Sequence, residues 1–144
     1  MPLYLGLDSS NYTSSVALVS EDGEIIEDRR RLLEVKPGER GLRQSDALFQ
    51  HWNNLPELLT PVLEKYRGEI AGVCASVKPR PAEGSYMPVF RAGESIGRIT
   101  AASLGVPFTQ TSHQEGHIKA ASVGNDVDFS KPLLCAHLSG GTLE

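Results

Sequence analysis

Two histidines four residues apart are the side chains of this sequence best suited to chemistry. They lie in the run Ser112-His113-Gln114-Glu115-Gly116-His117. On an α-helix, residues i and i+4 lie on one face, so both imidazoles can reach a single metal ion. Two histidines leave a metal under-coordinated, and a further ligand such as Asp8 or an external residue is needed. Imidazole suits zinc and iron alike, so the residue types leave the identity of the metal open.

The glutamate of this run is not placed like the base of a zinc peptidase. In the motif His-Glu-x-x-His the glutamate directly follows the first histidine. Here Glu115 comes two residues after His113, about 200° around a helix, and points elsewhere. The spacing therefore makes a metallopeptidase the least favoured of the functions considered.

A glycine-containing run stands near the end of the sequence. In Ser139-Gly140-Gly141-Thr142 the two glycines allow backbone N–H groups to come close to a phosphate or a carboxylate. A plain turn is the alternative interpretation. His137 stands just before this run, as either a ligand contact or a side chain packed beneath the loop. A pair of metal-binding histidines together with a loop suited to binding an anion indicates chemistry on a phosphorylated or acylated small molecule.

The apolar patterns predict the elements that must position these residues. Strands are expected at 2–8, 15–20, 25–33, 70–77, 106–109 and 133–138, and helices at 45–66, 90–104 and 113–123, with Pro56 and Pro61 bending or splitting the first helix. The order strand-strand-strand-helix-strand-helix-strand-helix predicts a ribonuclease-H-like α/β fold. This is a mixed sheet with helices on both faces, as in each half of the actin, Hsp70 and sugar-kinase folds.

A polar run at residues 8–15 is expected at the turn between the first two strands. In actin-like ATPases the equivalent hairpin presents hydroxyls and amides to nucleotide phosphates, which makes Asp8 and Ser10 candidate ligands of an adenine nucleotide. Asp8 is suited to holding a metal through water or to orienting a phosphate. The alternative is that Asp8 bonds its own turn.

Composition limits the other possibilities. The chain has 144 residues, 40% of them apolar, and a net charge of −4, which predicts one domain. The acidic balance argues against independent nucleic-acid binding, and the basic run at residues 29–31 is expected to be a solvated strand or loop. No stretch reaches the 18 apolar residues of a membrane span. Cys74 and Cys135 lie in apolar runs and are expected to be buried, reduced thiols of a cytoplasmic protein.

The Pro-rich stretch at residues 78–88 is expected to be an extended loop at the carboxyl end of a central strand. Open α/β sheets bind ligands at that edge. Arg80 and Tyr86 are suited to contacting an anion or a base. A connecting or partner-binding loop is the equal alternative.

Three motifs resemble the TsaD/Kae/Qri family, long called the glycoprotease or O-sialoglycoprotein endopeptidase family. They are Leu5-Gly6-Leu7-Asp8-Ser9-Ser10, the run at 112–117 and Leu138-Ser139-Gly140-Gly141-Thr142. Family members transfer a threonylcarbamoyl group from an adenylate to adenosine in tRNA. The resemblance implies that His113 and His117 bind iron or zinc, and that Ser139, Gly140 and Gly141 lie near bound substrate.

The sequence departs from the family pattern in two places. Tyr12 and Thr13 stand where family enzymes have an acidic pair, and residues 78–90 replace a Gly-Pro-Gly-Leu stretch. The resemblance therefore implies the amino-terminal domain of a divergent paralogue, over residues 1–142, with residues 143–144 a candidate cloning remnant. A carboxy-terminal domain would supply another metal-binding aspartate and much of the nucleotide site, so this chain alone is expected to be inactive.

Two functions follow from the resemblance. One is a metal-binding domain of a tRNA threonylcarbamoyltransferase-like protein, which meets tRNA only in the full complex. The other is a non-catalytic, TsaB-like dimerisation subunit. The implied partners are a TsaB-like protein or a second copy of the chain. His113 and His117 argue for the first function, and the loss of the acidic pair argues for the second.

Overall fold

The computed structural model of the protein describes residues 1–10, 12–139 and 142–143. The elements are, in chain order, β1 (Leu3–Ser10), β2 (Thr13–Ser20), β3 (Ile25–Leu32), α1 (Gln44–Tyr66), β4 (Ile70–Lys78), α2 (Phe90–Leu104), β5 (Phe108–Ser112), α3 (His113–Ser122), β6 (Leu138–Ser139) and β7 (Thr142–Leu143). Through α3 this is the order predicted from the sequence.

Five strands form one mixed sheet in the order β3-β2-β1-β4-β5. The first three strands are antiparallel neighbours, and the turn from β2 to β3 uses Gly23 at a φ of 85°, a conformation that glycine adopts without steric cost. β1, β4 and β5 run parallel. The carboxyl ends of these three strands therefore meet at one edge of the sheet, where open α/β sheets place their ligands.

One face of the sheet carries the main core. Successive side chains of a strand point to opposite faces, and alternate residues of β1 and β2 are buried: Leu3, Leu5, Leu7, Ser9, Ser14, Val16, Leu18 and Ser20. Both α1 and α2 pack on this face, with Leu55, Leu59 and Ala101 in the same apolar cluster. α3 contacts β4 and β5, and its first residue reaches Asp8, which points to the opposite face. Helices thus lie on both faces, as predicted.

The first helix runs unbroken past both of its prolines, so the predicted bend or split at Pro56 and Pro61 is wrong. Buried residues before and after Pro56, Leu55 and Leu59 among them, hold both halves of α1 against the sheet, and such packing supplies most of the stability of a helix in a protein. The helix also begins before Ser45. Its N-cap is Arg43, which makes no side-chain capping bond.

The last predicted strand is mostly absent. Residues 133–137 adopt no helix or strand, and only Leu138 of the predicted range enters β6, which pairs with β7. Apolar patterning favours a strand only where a neighbouring strand can take its hydrogen bonds, and Leu134 is fully exposed. Cys135 is exposed as well, which corrects the prediction of a buried thiol, whereas Cys74 is partly buried. Within the described residues, no helix has the length and apolar character needed to cross a membrane.

A glycine fixes the closest approach of α2 to the sheet. A Cβ at Gly97 would lie 2.9 Å from Cε2 of Phe108 and 3.1 Å from Cδ1 of Leu7. We expect Gly97→Val to lower the free energy of unfolding by about 2 to 3 kcal/mol through overpacking, measured by urea denaturation. Gly116→Ala is the control, because its new Cβ meets no atom within 4 Å and should stabilise α3 by about 0.5 to 1 kcal/mol. A Gly97→Val variant as stable as the wild type would contradict this packing.

Candidate functional site

Residues far apart in the sequence meet at the carboxyl edge of the parallel strands. Asp8 lies near the end of β1, and His113 is the first residue of α3, directly after β5. β4 lies between these two strands. The parallel pairing therefore brings the ends of β1 and β5 to the same edge, although 105 positions separate Asp8 and His113 in the sequence.

A capping box fixes the start of α3. The hydroxyl of Ser112 accepts a hydrogen bond from the backbone N–H of Glu115 at 3.2 Å, and Glu115 Oε2 accepts one from the backbone N–H of Ser112 at 2.9 Å. These reciprocal bonds satisfy two N–H groups that a helix terminus otherwise leaves unpaired. Hydrogen bonds from Ser112 also lower the pKa of Glu115. The Glu115 carboxylate is thus engaged in the cap and lies away from the histidine pair, as the spacing predicted.

Asp8, His113 and His117 form a continuous hydrogen-bonded chain. Asp8 Oδ2 lies 2.8 Å from His113 Nδ1, and His113 Nε2 lies 2.8 Å from His117 Nε2. An ionised carboxylate only accepts hydrogen bonds, so Nδ1 of His113 carries the proton of that bond. In the contact between the two histidines one Nε2 atom donates and the other accepts, so the two Nε2 atoms face each other.

The surroundings of Asp8 keep its carboxyl group ionised. Burial raises the pKa of Asp8, but the hydrogen bond and charge of His113, together with hydrogen bonds from Ser76 and Ser10, bring it down to about 2. The Ser10 bond comes from its backbone N–H to Oδ1 at 2.8 Å. Asp8 thus bonds its own turn, the alternative raised from the sequence, and it also holds a histidine on another element.

The histidine pair has the chemistry of half a metal site. A metal ligand must be a neutral imidazole, and partial desolvation, followed by the charges of His113 and His137, lowers the pKa of His117. A carboxylate on Nδ1 commonly orients a metal-binding histidine and makes it a better donor, which is the relation of Asp8 to His113. Asp8 is therefore placed to position a ligand. In the described part of the chain, no group of three or more His, Cys, Asp or Glu side chains is arranged to hold a metal.

The remaining predicted site residues lie beside the hydrogen-bonded Asp8, His113 and His117 or outside the described residues. The ring of His137 stacks on that of His117, with centroids 5.2 Å apart and an angle of 25° between the planes. The backbone of Ser139 pairs with β7, whereas Gly140 and Gly141 lie outside the described residues. The predicted loop after β4 is attached to α3, because the N–H of Gln114 donates to the carbonyl of Pro79 at 3.0 Å. Its Tyr86 is exposed.

Sequence reasoning missed Ser9, which joins the site to α2. Its hydroxyl donates to the carbonyl of Val89 at 2.8 Å and accepts from the N–H of Gly93 at 3.0 Å. Ser9 thereby satisfies an unpaired N–H in the first turn of a helix 84 positions away. Ser76 was missed as well. For Ser76 the available signal was a polar residue within the predicted apolar strand at 70–77, whereas Ser9 lies just beyond the predicted strand at 2–8.

Sequence reasoning also missed His51, whose side chain in α1 contacts the hairpin of β1 and β2. It is fully buried in α1, and its Nδ1 lies 2.8 Å from the hydroxyl of Ser14, whose side chain is also fully buried. Nε2 of His51 has no hydrogen-bond partner among the described residues. Burial lowers the pKa of His51 below its ordinary value of 6.5, against the smaller opposing effects of the Ser10 backbone and the Asp8 charge.

Stability should therefore fall in mild acid. Because the folded state resists protonation of His51, the unfolded state binds more protons below pH 6.5, and the stability present above that pH is lost as the pH falls. We expect the free energy of unfolding to fall progressively as the pH drops below 6.5. Urea denaturation of the wild type and of His51→Gln, which does not titrate, measures it. Equal pH profiles for the two proteins would contradict this role for His51.

Comparison with known proteins identifies one curated relative and several structures of the same fold. A tRNA N6-adenosine threonylcarbamoyltransferase from Neorickettsia sennetsu is 29% identical over 146 aligned residues, which cover 96% of this chain and 40% of the relative. The chain thus spans about two fifths of the length of the relative it matches. No protein-family model matches the sequence.

Among solved structures, YeaZ from Pseudomonas aeruginosa superposes with a TM-score of 0.57 and 16% identity, covering 85% of this chain and 49% of YeaZ. The ethanolamine utilization protein EutJ from Carboxydothermus hydrogenoformans superposes with a TM-score of 0.50 and 17% identity, covering 86% and 41%. These neighbours confirm the ribonuclease-H-like fold of the actin, Hsp70 and sugar-kinase group. The sequence match and the fold together confirm the resemblance of this chain to the TsaD/Kae/Qri family of tRNA threonylcarbamoyltransferases.

Proposed function

We propose that this chain is the metal-binding domain of a tRNA N6-adenosine threonylcarbamoyltransferase-like protein. The observation that carries the proposal is the chain of groups from Asp8 through His113 to His117, with contacts of 2.8 Å at each step. The sequence match to a threonylcarbamoyltransferase over 96% of this chain supports it.

In this proposal His113 and His117 bind a divalent iron or zinc ion through their Nε2 atoms. When bound, such an ion polarises a carbonyl or phosphoryl oxygen of the substrate. Asp8 holds the proton of His113 on Nδ1, which keeps the Nε2 lone pair available and fixes the ring. The capping box of Ser112 and Glu115 holds the first turn of α3 so that both imidazoles face the same point.

The first hairpin and the glycine run are proposed to bind the anionic part of the substrate, an acyl-adenylate or another adenine nucleotide. Ser10 lies beside Asp8 at the carboxyl edge of the sheet. Ser139 precedes the two glycines, whose backbone N–H groups are suited to stabilising developing negative charge. His137 lies between the histidine pair and the glycine run, because it stacks on His117 and stands two residues before Ser139.

The activity of the whole protein needs groups that this chain does not supply. Two imidazoles do not complete a zinc or iron site, so the proposal includes a ligand from a further domain. The chain covers 40% of the length of its relative, which leaves room for one. Because the chain has a net charge of −4, we assign the contacts with tRNA phosphates to the assembled complex.

Complementation tests the proposed transferase role. Cells depleted of their own threonylcarbamoyltransferase would receive either the native gene product or its His113→Ala, His117→Ala double variant, and threonylcarbamoyladenosine in their tRNA would be measured by mass spectrometry. We expect the native gene product to restore the modification and the double variant not to. If neither protein restores it, the transferase proposal is wrong. If both restore it, the histidine pair is dispensable and the partner role below is favoured.

A non-catalytic, TsaB-like partner is the second candidate. A groove of about 410 Å³ between α1 and α2 is lined by Leu48, Phe49, Trp52 and Ala92, and the side chains of Phe49 and Trp52 are 67% and 52% exposed. Exposed aromatic side chains around an apolar groove are typical of protein interfaces. The fold likeness to YeaZ, a TsaB protein, agrees with a partner role.

Trp52→Glu tests this face. If this chain is a TsaB-like subunit and α1 and α2 bind the transferase that it assists, the added charge should weaken that association at least about 10-fold, because hot-spot aromatic residues contribute about 2 kcal/mol or more. Isothermal titration with the threonylcarbamoyltransferase of the same cell measures the affinity. Ile99→Glu, an exposed change on α2 away from the groove residues, is the matched control. Equal affinities for the two variants would contradict the assignment of the groove.

A further inference from the structure

We infer that β3 pairs with β3 of a second copy of this chain, which joins the five-stranded sheets of the two copies across a two-fold axis. An antiparallel pair of identical strands is a contact that a two-fold axis generates, because each copy offers the same residues to the other. The inference does not depend on the proposed metal site, and it uses a different surface from the groove between α1 and α2.

The backbone of β3 offers hydrogen-bonding groups along its outer side. Among the described residues, β3 is an edge strand of the sheet and has β2 as its one neighbouring strand. The N–H of Leu33 donates to the carbonyl of Tyr12 at 2.7 Å, and the bonds to one neighbour involve every second residue of an antiparallel strand. Every second residue back from Leu33 therefore bonds β2, and the N–H and C=O groups of Asp28 and Arg30 point away from the sheet. Such groups are a template for a further strand.

The charges of β3 are ordered in the same way on both faces of the sheet. The face covered by α1 carries Glu27, Arg29 and Arg31, which form ion pairs with each other or with that helix. The opposite face carries Asp28 and Arg30, whose side chains are 38% and 67% exposed. Acidic residues thus precede basic residues on both faces. Because an antiparallel partner reverses this order, the acidic residues of each copy meet the basic residues of the other.

One register satisfies the charges and the backbone together. With Arg29 of both copies at the two-fold axis, Asp28 lies opposite Arg30 of the second copy. Glu27 lies opposite Arg31 in the same register. The outward backbone groups of Asp28 and Arg30 then exchange hydrogen bonds. Moving one strand by two residues places Asp28 opposite Asp28 or Arg30 opposite Arg30, and like charges directly opposite each other are destabilising.

The charges of β3 therefore select a partner. Charges on an edge strand normally prevent pairing with other chains, but an antiparallel copy of the same sequence supplies the complementary order. At the axis, each Arg29 guanidinium is held by Glu27 of its own chain at 3.1 Å, which offsets the repulsion between the two. The ends of β3 carry the exposed apolar side chains of Ile25 and Leu32, which are 58% and 73% exposed. The antiparallel register brings the Ile25 end of one copy to the Leu32 end of the other and covers both.

Charge reversal tests this register. Arg30→Asp places two acidic residues opposite each other, and Asp28→Arg places two basic residues opposite each other. The double variant Asp28→Arg, Arg30→Asp exchanges the two charges and restores opposite pairs. Sedimentation equilibrium of the 144-residue chain measures the dissociation constant of the dimer. Arg98→Asp, the same change of charge on α2 beside the other edge of the sheet, is the matched control, and thermal unfolding checks that each variant is folded.

We expect the wild type to form a weak dimer, because one strand from each copy makes a small interface. Each single variant should associate at least about 10-fold more weakly, because like charges brought together across an interface are strongly unfavourable. The double variant and Arg98→Asp should dimerise like the wild type.

Three results would overturn the inference. The first is a wild-type chain that stays monomeric at every concentration. The second is a folded double variant that does not recover the association lost in the single variants. The third is a dimer that survives Arg30→Asp and is lost in Trp52→Glu, since the copies would then meet through the groove between α1 and α2.

Discussion

Zn²⁺ binding should be lost when His113 and His117 are both replaced by alanine. Their Nε2 atoms lie 2.8 Å apart and face each other, and without them Asp8 has no imidazole to orient. We expect the affinity of the chain for Zn²⁺ to fall more than about 100-fold, beyond the 10- to 100-fold loss typical of supporting residues. Calorimetric titration and elemental analysis of the dialysed protein measure this loss.

The control for this variant is Lys119→Ala, a substitution on the same helix whose side chain lies over the ring of Phe129 and outside the site. It should bind Zn²⁺ like the wild type. An Asp8→Ala variant should show an intermediate loss of about 10- to 100-fold, because it removes the group that orients His113. If the double alanine variant binds as much zinc as the wild type, the histidine pair has no ligand role.

Phe90→Ala should cause the largest loss of stability of any single substitution considered. The side chain is 2% exposed and lies in a second apolar cluster with Leu33, Ala47 and Val89. Removing a buried phenylalanine ring leaves a cavity and costs about 3 to 5 kcal/mol, a large part of the 5 to 15 kcal/mol that stabilises a typical domain. Denaturation by urea, followed by circular dichroism, measures the difference.

The same substitution should also affect the site. The ring of Phe90 is tilted relative to that of His113, with centroids 6.2 Å apart. The cluster that contains Phe90 therefore packs next to His113. Ile99→Ala is the control on the same helix, since that side chain is 64% exposed and its loss should change the free energy of unfolding by less than about 0.5 kcal/mol. A Phe90→Ala protein within 1 kcal/mol of the wild type would mean that this cluster is loosely packed.

Much of the fold could be predicted because its elements carry strong local signals. Alternating apolar residues mark β1 and β2, the Asp22-Gly23 pair marks the turn from β2 to β3, and the spacing of apolar residues in α2 gives a helix with the predicted bounds. Where tertiary packing competes with local preference, prediction failed. Two prolines did not interrupt α1, and the apolar run at 133–138 did not become a strand, because a strand needs a neighbour and a helix needs only its own backbone and a buried face.

In the candidate site, too, the features set by local sequence could be predicted and those set by tertiary contacts could not. The sequence by itself determined that His113 and His117 share a face of α3 and that Glu115 does not, because helical periodicity is a local property. Only the tertiary structure decided that Asp8 holds His113, that Ser9 caps α2 and that His137 lies on His117. Those contacts join residues 20 to 105 positions apart. They exist because parallel pairing of β1, β4 and β5 brings the ends of these strands to one edge, and no local pattern encodes which strand lies beside which.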